Sequence, residues 1–153
     1  MKLLLDTTYF LPLIGIAIKN LPVDAIIRLI RKEHQISISN ITIFELSAKG
    51  AKYVASGIIP PEKVSRGIRA LIYNETIKVI EIHETPILHT AFKIRNIISD
   101  FINCLILSSA INQCDALVTE DTDMQTIEKD KNYQELIAAK NPKFKIYNLE
   151  EIL

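Results

Sequence analysis

The sequence predicts a three-layer α/β/α sandwich built on a central, mostly parallel sheet. Three observations carry the prediction. Short apolar runs recur along the chain, segments with helical period separate them, and the runs themselves show little alternation of apolar and polar residues. Strands buried on both faces read as unbroken apolar runs, and such burial requires helices on each side of the sheet.

Taken in order, Leu3–Leu5 is the first strand, and the apolar run from Tyr9 to Ile18 follows it. That run is apolar around nearly its whole circumference, interrupted by Pro12 and Gly15, so it belongs in the core or against a partner. Asp6 interrupts the apolar N-terminal stretch and no small-x-small cleavage site follows, which argues against a signal peptide, and the run from Tyr9 to Ile18 is too short to span a bilayer. Val23–Lys32 has helical period, with Ile26, Ile27, Leu29 and Ile30 opposed by Arg28, Arg31 and Lys32. A second strand is expected at Ile36–Ser39 and a helix at Thr42–Ala55, where Thr42 and Glu45 have capping-box spacing and Glu45 falls in the first turn. Pro60 and Pro61 suit the start of a helix over Glu62–Tyr73. Lys78–Ile82 is the third strand, Pro86–Ile98 and Asp100–Asn112 are helices, and Ala116–Thr119 is the fourth strand. A short helix near Met124–Lys129 and a fifth strand at Phe144–Tyr147 complete the pattern. No repeat, low-complexity tract or Gly/Ser linker interrupts it, so residues 1–153 are read as one domain.

Composition agrees: 48% hydrophobic and 24% charged residues exclude a disordered chain. With 18 Lys plus Arg against 18 Asp plus Glu, nucleic acid has no global electrostatic attraction to the chain and would need a local basic patch. Cys104 and Cys114 lack metal-ligand spacing, and on one helix they would lie about 15 Å apart, too far for a disulfide. They read as small buried hydrophobes, and nothing points to an oxidising compartment.

The acids carry the functional signal. In an open parallel sheet the functional crevice lies beyond the carboxyl ends of the strands. The first strand runs straight into Asp6 and the fourth into Glu120, Asp121 and Asp123, while Glu45 and Asp100 come from helices near the same end. Clustered carboxylates repel unless a cation or basic side chains neutralise them. No basic residue stands within LLLDTTYF or LVTEDTDM, which favours a hard divalent cation, Mg²⁺ or Mn²⁺. Such an ion would activate water and neutralise a phosphate oxygen, so phosphodiester hydrolysis is the natural chemistry.

LLLDTTYF, SNITIFELSAKG and DALVTEDTDM together resemble the three signature regions of PIN domains, most closely the prokaryotic VapC-like ribonucleases. The resemblance spans nearly the whole chain in the right order. It implies a Mg²⁺- or Mn²⁺-dependent endoribonuclease acting on RNA, the toxin of a toxin–antitoxin pair, working in the cytoplasm as a homodimer that an antitoxin holds inactive. By position Asp6, Glu45 and Asp121 match the family's first, second and fourth acids and are the expected catalytic residues. Asn103 stands where the third acid is expected, and Asp100, one turn earlier on the same helix face, is a substitute source of charge. With Asp123, which matches an additional acid, the expected metal set is Asp6, Glu45, Asp100, Asn103, Asp121 and Asp123. Thr119 matches the hydroxyl residue that supports them.

Each feature has a plainer reading. Asp6 and Asp100 can be helix caps, Glu45 a capping-box member, and Asp121 and Asp123 turn residues. Glu45, Lys49 and Lys52 form one helical stripe, either a solvated Glu–Lys ladder or an RNA-binding track of Lys49 and Lys52 leading from the metal. Lys63, Arg66 and Arg69 read as a solvated basic face, and the three histidines fit no ligand pattern. An aspartyl phosphotransferase is disfavoured because Thr8 stands where its second acid would be. The alternative is a catalytically degenerate PIN domain that binds RNA or protein.

Overall fold

In a computed structural model covering residues 1–153, five strands form one all-parallel sheet in the order β3-β2-β1-β4-β5. They are β1 (Lys2–Leu5), β2 (Gln35–Ser39), β3 (Ile77–Ile80), β4 (Ala116–Val118) and β5 (Lys145–Tyr147). Every predicted strand is present; four have one end moved by a single residue, and the third, expected at Lys78–Ile82, is shifted at both ends. The chain builds outward from β1 through β2 to β3, then returns to place β4 on β1's other side. The strand order therefore reverses between β1 and β4, where crevices form at the carboxyl ends.

Alternating strand residues feed two cores of equal size, one per face. Leu3, Leu5, Ile36, Ile38 and Val118 enter the first, against α2 (Asn40–Ala55), α3 (Pro61–Ile72) and the segment after β1. Leu4, Ile80, Leu117 and Ile146 enter the second, against α4 (Thr85–Ile94) and α5 (Phe101–Gln113). The remaining helices are α1 (Ala25–Arg31), α6 (Thr122–Thr126), α7 (Lys131–Lys140) and α8 (Leu149–Ile152). No helix is long and apolar enough to cross a membrane.

Several boundaries differ from expectation for identifiable reasons. The run from Tyr9 is not a helix to Ile18: it is a 3-10 helix, Thr7–Ile14, stopped by Gly15 at φ 92. Gly15 N–H donates to Pro12 O at 3.1 Å and Ile16 N–H to Leu11 O at 3.1 Å, which reverses the chain. Tyr9, Phe10, Leu11 and Ile14 are buried in the first core, as the apolar run predicts. Helix α2 begins at Asn40 with Ser39 as its cap, so Glu45 lies in the second turn and the Thr42–Glu45 capping box is not formed. The predicted helix over Met124–Lys129 begins earlier, at Thr122, and finishes as a 3-10 turn, Ile127–Lys129. Helices α7 and α8 were not anticipated. Both Cys104 and Cys114 are free and buried, as expected.

Candidate active site

The switch point holds a cleft of about 280 Å³ with no hydrophobic residue in its lining. Asp6, Glu45, Asp100 and Asp121 line it from four separate segments, with Asn103 beside them. Glu120 adds a fifth carboxylate, and Lys49 is the one cation.

Asp6 sits immediately after β1, and its N–H donates to Val118 O at 3.0 Å, so the sheet itself fixes it against β4. It is only 6% exposed. Thr7 N–H donates to Oδ1 at 2.7 Å, and Thr119 Oγ1 donates to Oδ2 at 2.7 Å. Asp6 thus caps the 3-10 helix and faces the cleft at once. Burial pushes its carboxyl from 3.8 up to about 6; the two hydrogen bonds oppose this, and the Glu45 and Asp121 charges add to it.

Thr119 joins two acids, because its hydroxyl also accepts from Asp121 N–H at 3.0 Å. Asp121 caps α6, with Oδ1 accepting from Asp123 N–H at 2.8 Å and Met124 N–H at 3.1 Å. Oδ2 is left to the cleft side, where the Asn103 amide donates to it at 3.4 Å. Asp100 caps α5, with Oδ1 accepting from Ile102 N–H at 2.9 Å and Asn103 N–H at 3.3 Å. Glu45 accepts a short hydrogen bond from the Thr7 hydroxyl rather than pairing with Lys49.

Asp6, Asp100 and Asp121 thus each cap a helix and line the cleft as well. Two expected members are placed elsewhere. Asp123, in the first turn of α6, lines a neighbouring pocket with Asp130 and Ser99, not the acidic cleft. Its position two residues after the cap turns it outward. Lys52, one turn beyond Lys49 on α2, is exposed and outside the cleft lining, so the expected two-lysine track has one member at the site.

Three further residues, Thr7, Tyr9 and Glu120, take part at the cleft. Thr7 holds Glu45. Tyr9 OH donates to Glu120 Oε1 at 2.6 Å, and the same oxygen accepts from Leu149 N–H at 2.9 Å, clasping α8 to the cleft wall. The signal for Thr7 was its place directly after the first acid; Glu120 stood in the acidic run after the fourth strand but was given no role, and nothing local marked Tyr9.

Neither of the chain's two ion pairs, Arg28–Asp24 and His83–Glu81, neutralises the cleft. No three Asp, Glu, His or Cys side chains converge into a ready-made cation cage. The donors are nevertheless all oxygen, they surround a polar opening, and one is buried without a cationic partner. That set suits a hard, partly hydrated ion such as Mg²⁺, which typically keeps several waters and takes one or two carboxylates.

A parallel α/β/α sandwich with carboxylates gathered at its switch point defines the class as PIN-like. Residues 3–130 match the PIN domain family, and the chain belongs to it. A solved structure of VapBC2 from Rickettsia felis, bound to a DNA fragment from their promoter, has the same fold at a TM-score of 0.61. It is 20% identical, with 97% of this chain and 98% of that one covered. No curated protein matches the chain.

Proposed function

We propose that this PIN domain is a divalent-metal-dependent endoribonuclease acting as the toxin of a toxin–antitoxin pair. One observation carries the proposal: Asp6, Glu45, Asp100 and Asp121 reach one cleft from four segments, with a single lysine among them. PIN family membership and the VapBC2 likeness support the same reading.

Asp6, Glu45 and Asp121 are the residues that would hold Mg²⁺ or Mn²⁺, with Asn103 and Asp100 completing the α5 side. The ion, when bound, would neutralise charge developing on the phosphate and make a nearby water a better nucleophile. The chain's own contributions are separate. Thr119 and Thr7 orient Asp6 and Glu45, Lys49 offers a cation for a phosphate oxygen, and the cleft admits water freely because its lining is wholly polar. Asn103 carries no charge, so the site is expected to bind its ion weakly.

RNA cleavage in Mn²⁺, compared with EDTA and with Asp6→Asn, tests the reading. The expected result is cleavage by the wild type in Mn²⁺ alone, with loss of at least about 100-fold in the variant. Asn103 favours a second reading, a degenerate domain that binds RNA or protein without cutting. Retained RNA binding with no cleavage at any Mn²⁺ concentration would select it. A homodimer and a cytoplasmic location belong to the proposal, as does an antitoxin partner. A small DNA-binding protein encoded beside this chain would support the last of these.

A further inference from the structure

A second feature lies beside the acidic cleft. Phe101 is the first residue of α5, directly after Asp100, and its ring stacks on Phe92 of α4 at 6.0 Å between centroids and 7° between planes. His89 continues the row, 6.5 Å from Phe92. Phe92 is 56% exposed and Phe101 38%, a large share for rings that the second core could have absorbed. His89, Phe92 and Arg95 lie at i, i+3 and i+6 on one stripe of the α4 side, and Lys93 is exposed next to them.

Exposed aromatic faces interleaved with cations are the chemistry of single-stranded nucleic-acid binding: bases stack on the rings while the cations meet phosphates. The competing occupant is a second copy of this chain. A stable interface buries about 800 Å² per partner, several times what two partly exposed rings and an imidazole offer, and its centre is usually depleted of charge. The ledge is small, with Lys93 and Arg95 exposed on its α4 side and Asp100 at its other end; the two cations favour the nucleic acid.

We propose that Phe92 and Phe101, with His89 at the edge, form a base-stacking subsite that holds unpaired RNA bases next to the cut position on the Asp100 side. The proposal rests on the endoribonuclease reading for its substrate. It assigns these rings a role in selecting unpaired over paired RNA, since bases within a duplex have no free faces to offer.

The test is equilibrium binding in EDTA, where no cleavage occurs. The probes are a fluorescein-labelled adenosine 12-mer, an abasic ribose-phosphate 12-mer and an RNA duplex of equal length. The wild type is expected to bind the base-bearing strand about 10-fold more tightly than the abasic one. Phe92→Leu with Phe101→Leu, which keeps apolar volume under the ledge, should erase that preference while leaving abasic binding and the melting temperature unchanged. Equal wild-type affinity for the two single strands overturns the proposal without any variant. A double variant that keeps the preference overturns it too, as does one that only changes the sedimentation state, which would make the ledge a face between copies. Failure of the cleavage reading has a different signature: no cutting in Mn²⁺, with the base preference in EDTA intact.

Discussion

The Asn103 side-chain amide donates to Asp121 Oδ2 across 3.4 Å, tying α5 to the loop after β4. The one uncharged member of the candidate metal set thus acts as a donor to its neighbour. An aspartate at 103 would present an acceptor, and the two carboxylates would repel without a cation. Asn103→Asp should therefore destabilise the metal-free protein by about 1 kcal/mol and raise Mn²⁺ affinity about 10-fold. Melting curves and calorimetric titration check the two effects, which must have opposite signs.

Asp100→Asn is the companion experiment. Asn caps a helix about as well as Asp, so the Ile102 and Asn103 N–H groups keep their acceptor and melting should hardly change. Loss of Mn²⁺ binding and RNA cleavage would make Asp100 the working third acid. No effect from either α5 substitution would remove that helix from the site.

Asp6 gives a pH signature. Its folded carboxyl holds a proton up to about 6, whereas the unfolded chain releases it near 3.8, so stability falls as pH rises through that window. The loss is about 3 kcal/mol once Asp6 is ionised. Asp6→Asn should match wild type at pH 4 and, without metal, exceed it at pH 7.5 by about 1–3 kcal/mol. Denaturant unfolding at the two pH values measures this; a metal-free variant far less stable than wild type at pH 7.5 would contradict it.

Thr119→Val keeps shape but removes the hydroxyl that donates to Asp6 and accepts from Asp121 N–H. The buried Asp6 oxygen loses a partner, at a cost of about 1–3 kcal/mol. The lost bond had been holding the Asp6 carboxyl down, so its proton should leave at still higher pH. A pH profile of cleavage should move in the alkaline direction; thermal melts supply the control.

Gly67→Ala tests the scaffold. A Cβ there would stand 2.3 Å from Leu13 O, a backbone atom of the 3-10 segment. Better helix propensity favours Ala by about 1 kcal/mol, but the backbone clash should outweigh it by about 2 kcal/mol. Thermal unfolding decides the net sign.

The sheet was legible because Leu3–Leu5 and Ala116–Val118 are buried on both faces and leave unbroken apolar runs; Ile36–Ser39 is buried as fully, although its sequence alternates Ile with Ser. The carboxylates were legible because strand ends and caps are sequence-local features. The features that the sequence hides are weakly patterned or long-range. Helix α7 buries only Tyr133, so its period is faint, although Asp130 caps it. Helix α8 spans four residues, and its Asn148–Glu151 capping box was the one available sign. The Thr7–Glu45 and Tyr9–Glu120 bonds join residues 38 and 111 positions apart, which no local window relates. Asp123 came in through the family resemblance and Lys52 through helical spacing; Asp123 lines a different pocket, and Lys52, one turn farther along the same stripe as Lys49, lies beyond the cleft lining.

The chemistry of the site stands on a divalent cation held in this cleft. Anomalous diffraction from a crystal soaked in about 10 mM Mn²⁺, a concentration chosen for a weak, millimolar site, tests it most directly. The expected result is a peak bounded by Asp6, Glu45 and Asp121, at partial occupancy in the wild type and higher in Asn103→Asp. No peak there in either protein, or a peak only at another site, would contradict it.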